Sequence, residues 1–165
     1  MRRQRGPATL VIAEDDDDDC LLLKEALKRA GVTEEPFWVK NGEELLALLR
    51  RRGDAFPGDG GPVLILLDLN MPKMDGREAL QELKSDPSLR RIPVIVMTTS
   101  QADEDIQRCY DLGVCSYIRK PTGFEELVEA VRLLQRYWLE LVELPLSGAS
   151  GAGVERAGRR RPSPK

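Results

Sequence analysis

The sequence predicts an α/β protein in which five parallel strands form one sheet with helices on both faces. Short apolar runs alternate five times with amphipathic helical periods, the pattern of a parallel sheet built from strand-helix units. One run, residues 63–67 (Val-Leu-Ile-Leu-Leu), is apolar throughout, as a strand buried on both faces must be. Glycine, proline and Asn-Gly punctuation separates the periods. At 165 residues there is length for one domain and tails.

Residues 9–13 read as the first strand, and residues 19–30 as a helix with Leu22, Leu23, Ala26, Leu27 and Ala30 at helical spacing, closed by Gly31. Residues 37–40 form a short second strand. Asn41-Gly42 then turns into a helix over 43–51 carrying Leu45, Leu46, Leu48 and Leu49, and a Gly/Pro-rich loop over 53–62 ends it. The central strand, 63–67, ends in Asp68. A helix over 76–84 follows Met71-Pro72, and residues 93–97 make a fourth strand ending in Thr98. A fourth helix spans 102–111 and stops at Gly113. The fifth strand, 115–119, ends in Lys120-Pro121, and a long amphipathic helix runs from Phe124 to about Val142, with Pro145 as its stop. The domain is therefore expected over 9–144, between basic tails at 1–8 and 145–165, the latter rich in Gly, Ser, Ala and Arg.

Composition removes several function classes. There is no histidine, which excludes Ser-His-Asp and Cys-His catalysis, His-ligated zinc and a phosphohistidine carrier. The three cysteines, Cys20, Cys109 and Cys115, have no C-x-x-C spacing and are expected to be reduced and buried. No apolar run is long enough for a membrane span or a signal-peptide core, so a cytoplasmic protein without membrane contact is expected. The net charge of -3 is uneven: residues 1–8 hold three arginines, and residues 150–165 hold four arginines and a lysine against one glutamate. The body between them is strongly acidic, which argues against nucleic acid as a ligand and suits carboxylates that bind a cation.

Ligands of an open parallel sheet bind beyond the C-terminal ends of its strands. There the sequence offers Glu14, Asp15 and Asp16 after strand one, Asp68 and Asn70 after strand three, Thr98 and Thr99 after strand four, and Lys120 after strand five. Taken singly, Asp17 to Asp19 read as helix N-terminal carboxylates, Thr98 as a strand-end cap and Lys120 as a surface lysine. Together on one edge they make an acidic pocket with a hydroxyl and an ammonium. Converging carboxylates repel unless a cation sits among them, and an oxygen-only donor set suits Mg²⁺. A carboxylate beside Mg²⁺, a lysine and a hydroxyl is an arrangement for phosphoryl transfer, with Asp68 attacking phosphorus to give an aspartyl phosphate.

The set Glu14-Asp15, the segment Leu67-Asp68-Leu69-Asn70-Met71-Pro72-Lys73-Met74-Asp75-Gly76, Thr98 and Lys120-Pro121 resembles the receiver domain of two-component response regulators, over roughly residues 8–140. The resemblance implies a (βα)5 flavodoxin-like fold, Asp68 as acceptor of a phosphoryl group from a sensor histidine kinase, and Mg²⁺. It implies Glu14 and Asp15 as the acidic metal pocket, Asp15 and Asp68 as direct ligands, and Asn70 as a ligand through its backbone carbonyl. It also implies a switch in which the Thr98 hydroxyl bonds the new phosphate and Tyr117 on strand five swings inward.

The long loop over 53–61, the Thr98-Thr99-Ser100 run and the segment Arg136-Tyr137-Trp138-Leu139-Glu140 resemble stand-alone receivers that partner bacterial phytochrome-type kinases. In the last helix Leu127, Val131, Leu134 and Trp138 can face the core. Tyr137, Leu141, Val142 and Leu144 extend beyond it, so a homodimer through the fourth helix, fifth strand, fifth helix and C-terminal extension is expected. The alternatives are a non-phosphorylated receiver-like scaffold and a haloacid-dehalogenase-type phosphatase. The latter wants a second aspartate two residues after the nucleophile, where Asn70 stands.

Overall fold

The computed structural model describes residues 7–51 and 61–146. In chain order the elements are β1 (Thr9–Ala13), α1 (Asp17–Arg29), β2 (Phe37–Val39), α2 (Gly42–Leu49), β3 (Val63–Leu67), α3 (Gly76–Ser85), β4 (Val94–Thr98), α4 (Asp103–Asp111), β5 (Ser116–Arg119) and α5 (Phe124–Leu134), which continues as π-helical turns over Gln135–Leu141. The strands form one parallel sheet in the order β2-β1-β3-β4-β5. This is the flavodoxin-like (βα)5 arrangement. The expected features over 53–60, 1–6 and 147–165 lie outside the described residues.

β3 is central and buried along its whole length, and β1 and β4 flank it with their apolar runs buried on both sides. Val11, Ile65 and Val96 join the core beneath α2, α3 and α4, whereas Ile12, Leu66 and Met97 join the core beneath α1 and α5. That alternation is why these strands carry no polar face. Side chains close the first turns of three helices: Asp16, Asn41 and Asp75 accept from the N–H groups of Asp19, Glu44 and Glu78 at 2.9, 2.9 and 3.0 Å. α1 consequently begins at Asp17, two residues before its expected start, with Asp17 to Asp19 lying favourably against the helix dipole. Gly76 lets α3 start against the end of β3. A Cβ there would collide with the Asp68 carbonyl and come within 2.7 Å of the Leu69 Cα.

Three expectations are corrected. Cys115 is exposed, because it precedes the edge strand β5, while Cys20 and Cys109 are buried. The last helix does not run on as one α-helix to Val142: it widens after Leu134, and the Val142 N–H reaches back five residues to the Tyr137 carbonyl. This spacing turns Leu134, Trp138, Leu139 and Val142 toward the core beneath α1 and α5. Leu144, expected to project beyond the core, is buried in it, and the adjoining Leu146 bridges antiparallel to Pro62.

Candidate phosphoryl and metal site

The site is assembled at the C-terminal edge of β1, β3, β4 and β5. Parallel register sets the heights of its groups: the Asp68 N–H donates to the Ala13 carbonyl at 3.0 Å, and the Lys120 N–H donates to the Thr98 carbonyl at 2.8 Å. Glu14, Asp68 and Thr98 are buried polar groups, whereas Asp15 is exposed. Carboxylate oxygens of Glu14, Asp15 and Asp68 all lie within 4.8 Å of one another.

The bonds in this cluster centre on Asp68 and Lys120. Asp68 Oδ1 accepts from the Thr98 hydroxyl at 3.0 Å and from the Asn70 N–H at 3.1 Å, while Oδ2 accepts from Lys120 Nζ at 2.7 Å. Lys120 also donates to Glu14 Oε2 at 2.5 Å and to Asp19 Oδ2 at 3.2 Å. One ammonium thus ties strand-five chemistry to the acidic ends of β1 and β3. Burial disfavours its charge, but the hydrogen bonds to Asp68 and Glu14 outweigh this and hold Lys120 above the ordinary lysine range. Burial pushes Glu14 up to about 7; the Asp68 charge adds to the rise, and Lys120 opposes it.

These residues fit a hard divalent cation. The donors are all oxygen, one rim residue (Asp15) is exposed to solvent, and the surplus of carboxylate charge over a single lysine is what such an ion neutralises. Asn70 follows Asp68 in an exposed position of the β3-α3 loop. A cavity of about 130 Å³ opens beside the site between α1 and the start of α5, with Lys120 and Asp68 at its polar end and Leu22, Leu23, Phe124 and Leu127 along its apolar wall.

The structure brings Glu14, Asp15, Asp68, Thr98 and Lys120 together. Tyr117 stands apart, half-buried on β5 against the core beneath α2 to α4, with its hydroxyl on the Ser100 carbonyl at 3.0 Å. Sequence reading missed three residues. Asp19 reaches Lys120, although a run of aspartates at a helix start reads only as capping. Trp38 donates its indole N–H to the Glu14 carbonyl at 2.6 Å. Arg77 makes a two-pronged contact with Asp105 of α4, from Nε at 2.6 Å and from Nη2 at 2.5 Å, and Ser100 also donates to Asp105 at 2.6 Å. Apart from the Ser100 bond, five residues along the chain, these contacts are long-range in sequence, and no motif marks them.

Residues 10–132 match the family model of the response regulator receiver domain. The response regulator Rcp1 of Synechocystis sp. is 39% identical over 139 residues, which cover 84% of this chain and 94% of Rcp1. The phosphorylated cyanobacterial phytochrome response regulator RcpA has a crystal structure that aligns with a TM-score of 0.74 at 41% identity, over 84% of this chain and 98% of that one. The Mn²⁺-bound form of Rcp1 aligns with a TM-score of 0.69 at 37% identity, over 84% and 99% of the two chains.

Proposed function

This chain belongs to the response regulator receiver family of signalling proteins, and from that premise we propose that it accepts a phosphoryl group on Asp68 from a sensor histidine kinase of phytochrome type. The observation that carries the reading is the double engagement of Asp68. Its two oxygens are separately held by Thr98 and Lys120 at the mouth of an acidic pocket.

In the transfer, a carboxylate oxygen of Asp68 bonds to phosphorus as the phosphorus-nitrogen bond of the kinase phosphohistidine breaks, and the imidazole leaves with the bonding pair. Glu14, Asp15, Asp68 and the Asn70 backbone carbonyl would hold Mg²⁺, which supplies positive charge against the phosphoryl oxygens. Lys120 holds its proton throughout and presents its ammonium to the same oxygens. The Thr98 hydroxyl, already turned to Asp68, can donate to a phosphoryl oxygen once Asp68 is esterified. Phosphate brings a charge of about -1.5 to -2 and three acceptors, so Thr98 and Lys120 interact differently with the two states of Asp68. Thr98 and Ser100 lie on one segment, and the bond of Tyr117 to the Ser100 carbonyl couples that segment to β5 as the switch.

The receiver occupies 9–144 between basic tail segments, acts in the cytoplasm, and signals by altered protein contacts. No helix among the described residues is long and apolar enough to cross a membrane. A homodimer through α4, β5, α5 and the C-terminal extension is supported by Leu133, Tyr137 and Leu141, which are 61%, 50% and 73% exposed at four-residue spacing. Leu144 and Val142 take no part, being turned inward.

Intact mass after incubation with acetyl phosphate and Mg²⁺ tests the phosphoacceptor. The wild-type protein is expected to gain one phosphoryl group, and Asp68→Asn or chelated wild-type protein none. Gain by Asp68→Asn would overturn the assignment, and sustained hydrolysis of a phosphomonoester would make the protein a phosphatase instead.

A further inference from the structure

We propose that Trp38 is a positioning residue for the cation pocket: its indole N–H fixes the Glu14 carbonyl and thereby the direction in which Glu14 and Asp15 present their carboxylates. The proposal rests on the reading that Glu14, Asp15 and Asp68 hold a divalent cation.

Glu14 is the first residue beyond β1, where sheet pairing ends. Its N–H still donates to the Val39 carbonyl at 3.0 Å, and its side chain accepts from the Asp16 N–H at 3.1 Å. The carbonyl between Glu14 and Asp15 is bonded by the Trp38 indole at 2.6 Å. Among the described residues no side chain holds the Asp15 carboxylate, and the Trp38 bond orients the peptide from which the Asp15 side chain extends. An indole N–H can only donate, and burial alone would be served equally by a ring without a donor. The ring is itself braced. Lys24 Nζ from α1 and Lys40 Nζ from the end of β2 lie 5.3 and 5.1 Å from its centroid, and Lys40 pairs with Asp17 at 3.2 Å. Trp38 is thus held between β2 and the first turns of α1, on the flank of the pocket opposite Lys120. Partners that orient a metal's ligands without touching the metal commonly set affinity.

Mn²⁺ serves as the probe, with free ion read from its paramagnetic resonance signal in the full-length protein. Trp38→Phe keeps an aromatic ring and removes the donor, and it is expected to bind Mn²⁺ about ten-fold more weakly while its thermal midpoint without metal stays near wild type. A second readout uses Trp138→Phe, which leaves Trp38 as the sole tryptophan. Its emission is expected to change with Mg²⁺ and to saturate. Wild-type Mn²⁺ affinity in Trp38→Phe would overturn the role of Trp38 and leave the pocket standing; no Mn²⁺ binding by the wild-type protein would overturn both. Should Trp38→Phe fail to fold, Trp38 emission that ignores saturating Mg²⁺ in Trp138→Phe would contradict the proposal.

Discussion

Glu14 is the residue on which the site's pH response turns. Burial and the neighbouring Asp68 raise its pKa to about 7, against the pull of Lys120. Protonated Glu14 offers a cation no charge, and a cation must displace that proton to bind. Cation affinity is therefore expected to be greatest above pH 7 and to fall as pH drops through it, by up to about ten-fold per unit while Glu14 is the group exchanging its proton. Mn²⁺ titrations at pH 8, 7 and 6 check this, and an affinity independent of pH over that range would contradict it. The same shift works oppositely on the metal-free fold. The folded state binds the Glu14 proton more tightly than the unfolded chain, so this contribution is complete below about 4.5 and is lost as pH rises toward 7. At this scale the sequence was informative wherever chemistry needs a residue type at a strand end, as for Asp68, Thr98 and Lys120. It was silent on Trp38 and Asp19, whose contacts depend on the twist of the sheet and the first turn of α1.

Among the elements, α3 and α4 are joined by a contact that links the site's loops. Arg77, in the first turn of α3, grips Asp105 in the first turn of α4, and Ser100 in the loop after β4 donates to the same carboxylate. The Arg77 guanidinium, with help from Ser100, holds the Asp105 carboxyl at about 2, well below the usual range. Because the folded-state value is depressed, this contribution is present above about pH 4 and is lost as pH falls toward 2. Both side chains are largely shielded, at 24% and 15% exposure, so replacing Arg77 by Met is expected to destabilise the fold by about 2 kcal/mol at pH 7. The loss should shrink toward pH 2, as measured by urea unfolding. An equal loss at both pH values would remove the ion pair from the account. Element order and type were legible because the strands are short apolar runs and turn residues such as Asn41-Gly42 and Gly113 separate them from the helices. The widening after Leu134 was not, since 134–142 fits helical periodicity and the extra residue per turn is decided by how Trp138 and Leu139 meet α1 and the sheet.

For the whole molecule, the exposed stripe of Leu133, Tyr137 and Leu141 is the surface proposed for the dimer. Charges placed there as Leu133→Glu with Leu141→Glu are expected to shift the sedimenting species from dimer to monomer without changing the far-ultraviolet spectrum. A wild-type protein that sediments as a monomer at all concentrations would contradict the dimer. The architecture itself followed from the fivefold alternation together with the all-apolar β3, because strand-helix alternation puts helices on both faces of a parallel sheet and so buries such a run. The inward turn of Leu144 was hidden because it ends an apolar stretch that reads as an exposed extension, and the antiparallel bridge of Leu146 to Pro62 just beyond it pairs residues 84 positions apart.

The central claim is that Asp68 carries the phosphoryl group, and reductive trapping tests it most directly. Borohydride reduces an acyl phosphate to an alcohol, so protein phosphorylated with acetyl phosphate and Mg²⁺, then reduced and digested, should yield homoserine at position 68 and unchanged aspartate at 15 to 19. Homoserine at any of those other positions, or none in a protein that has gained phosphate, would contradict it.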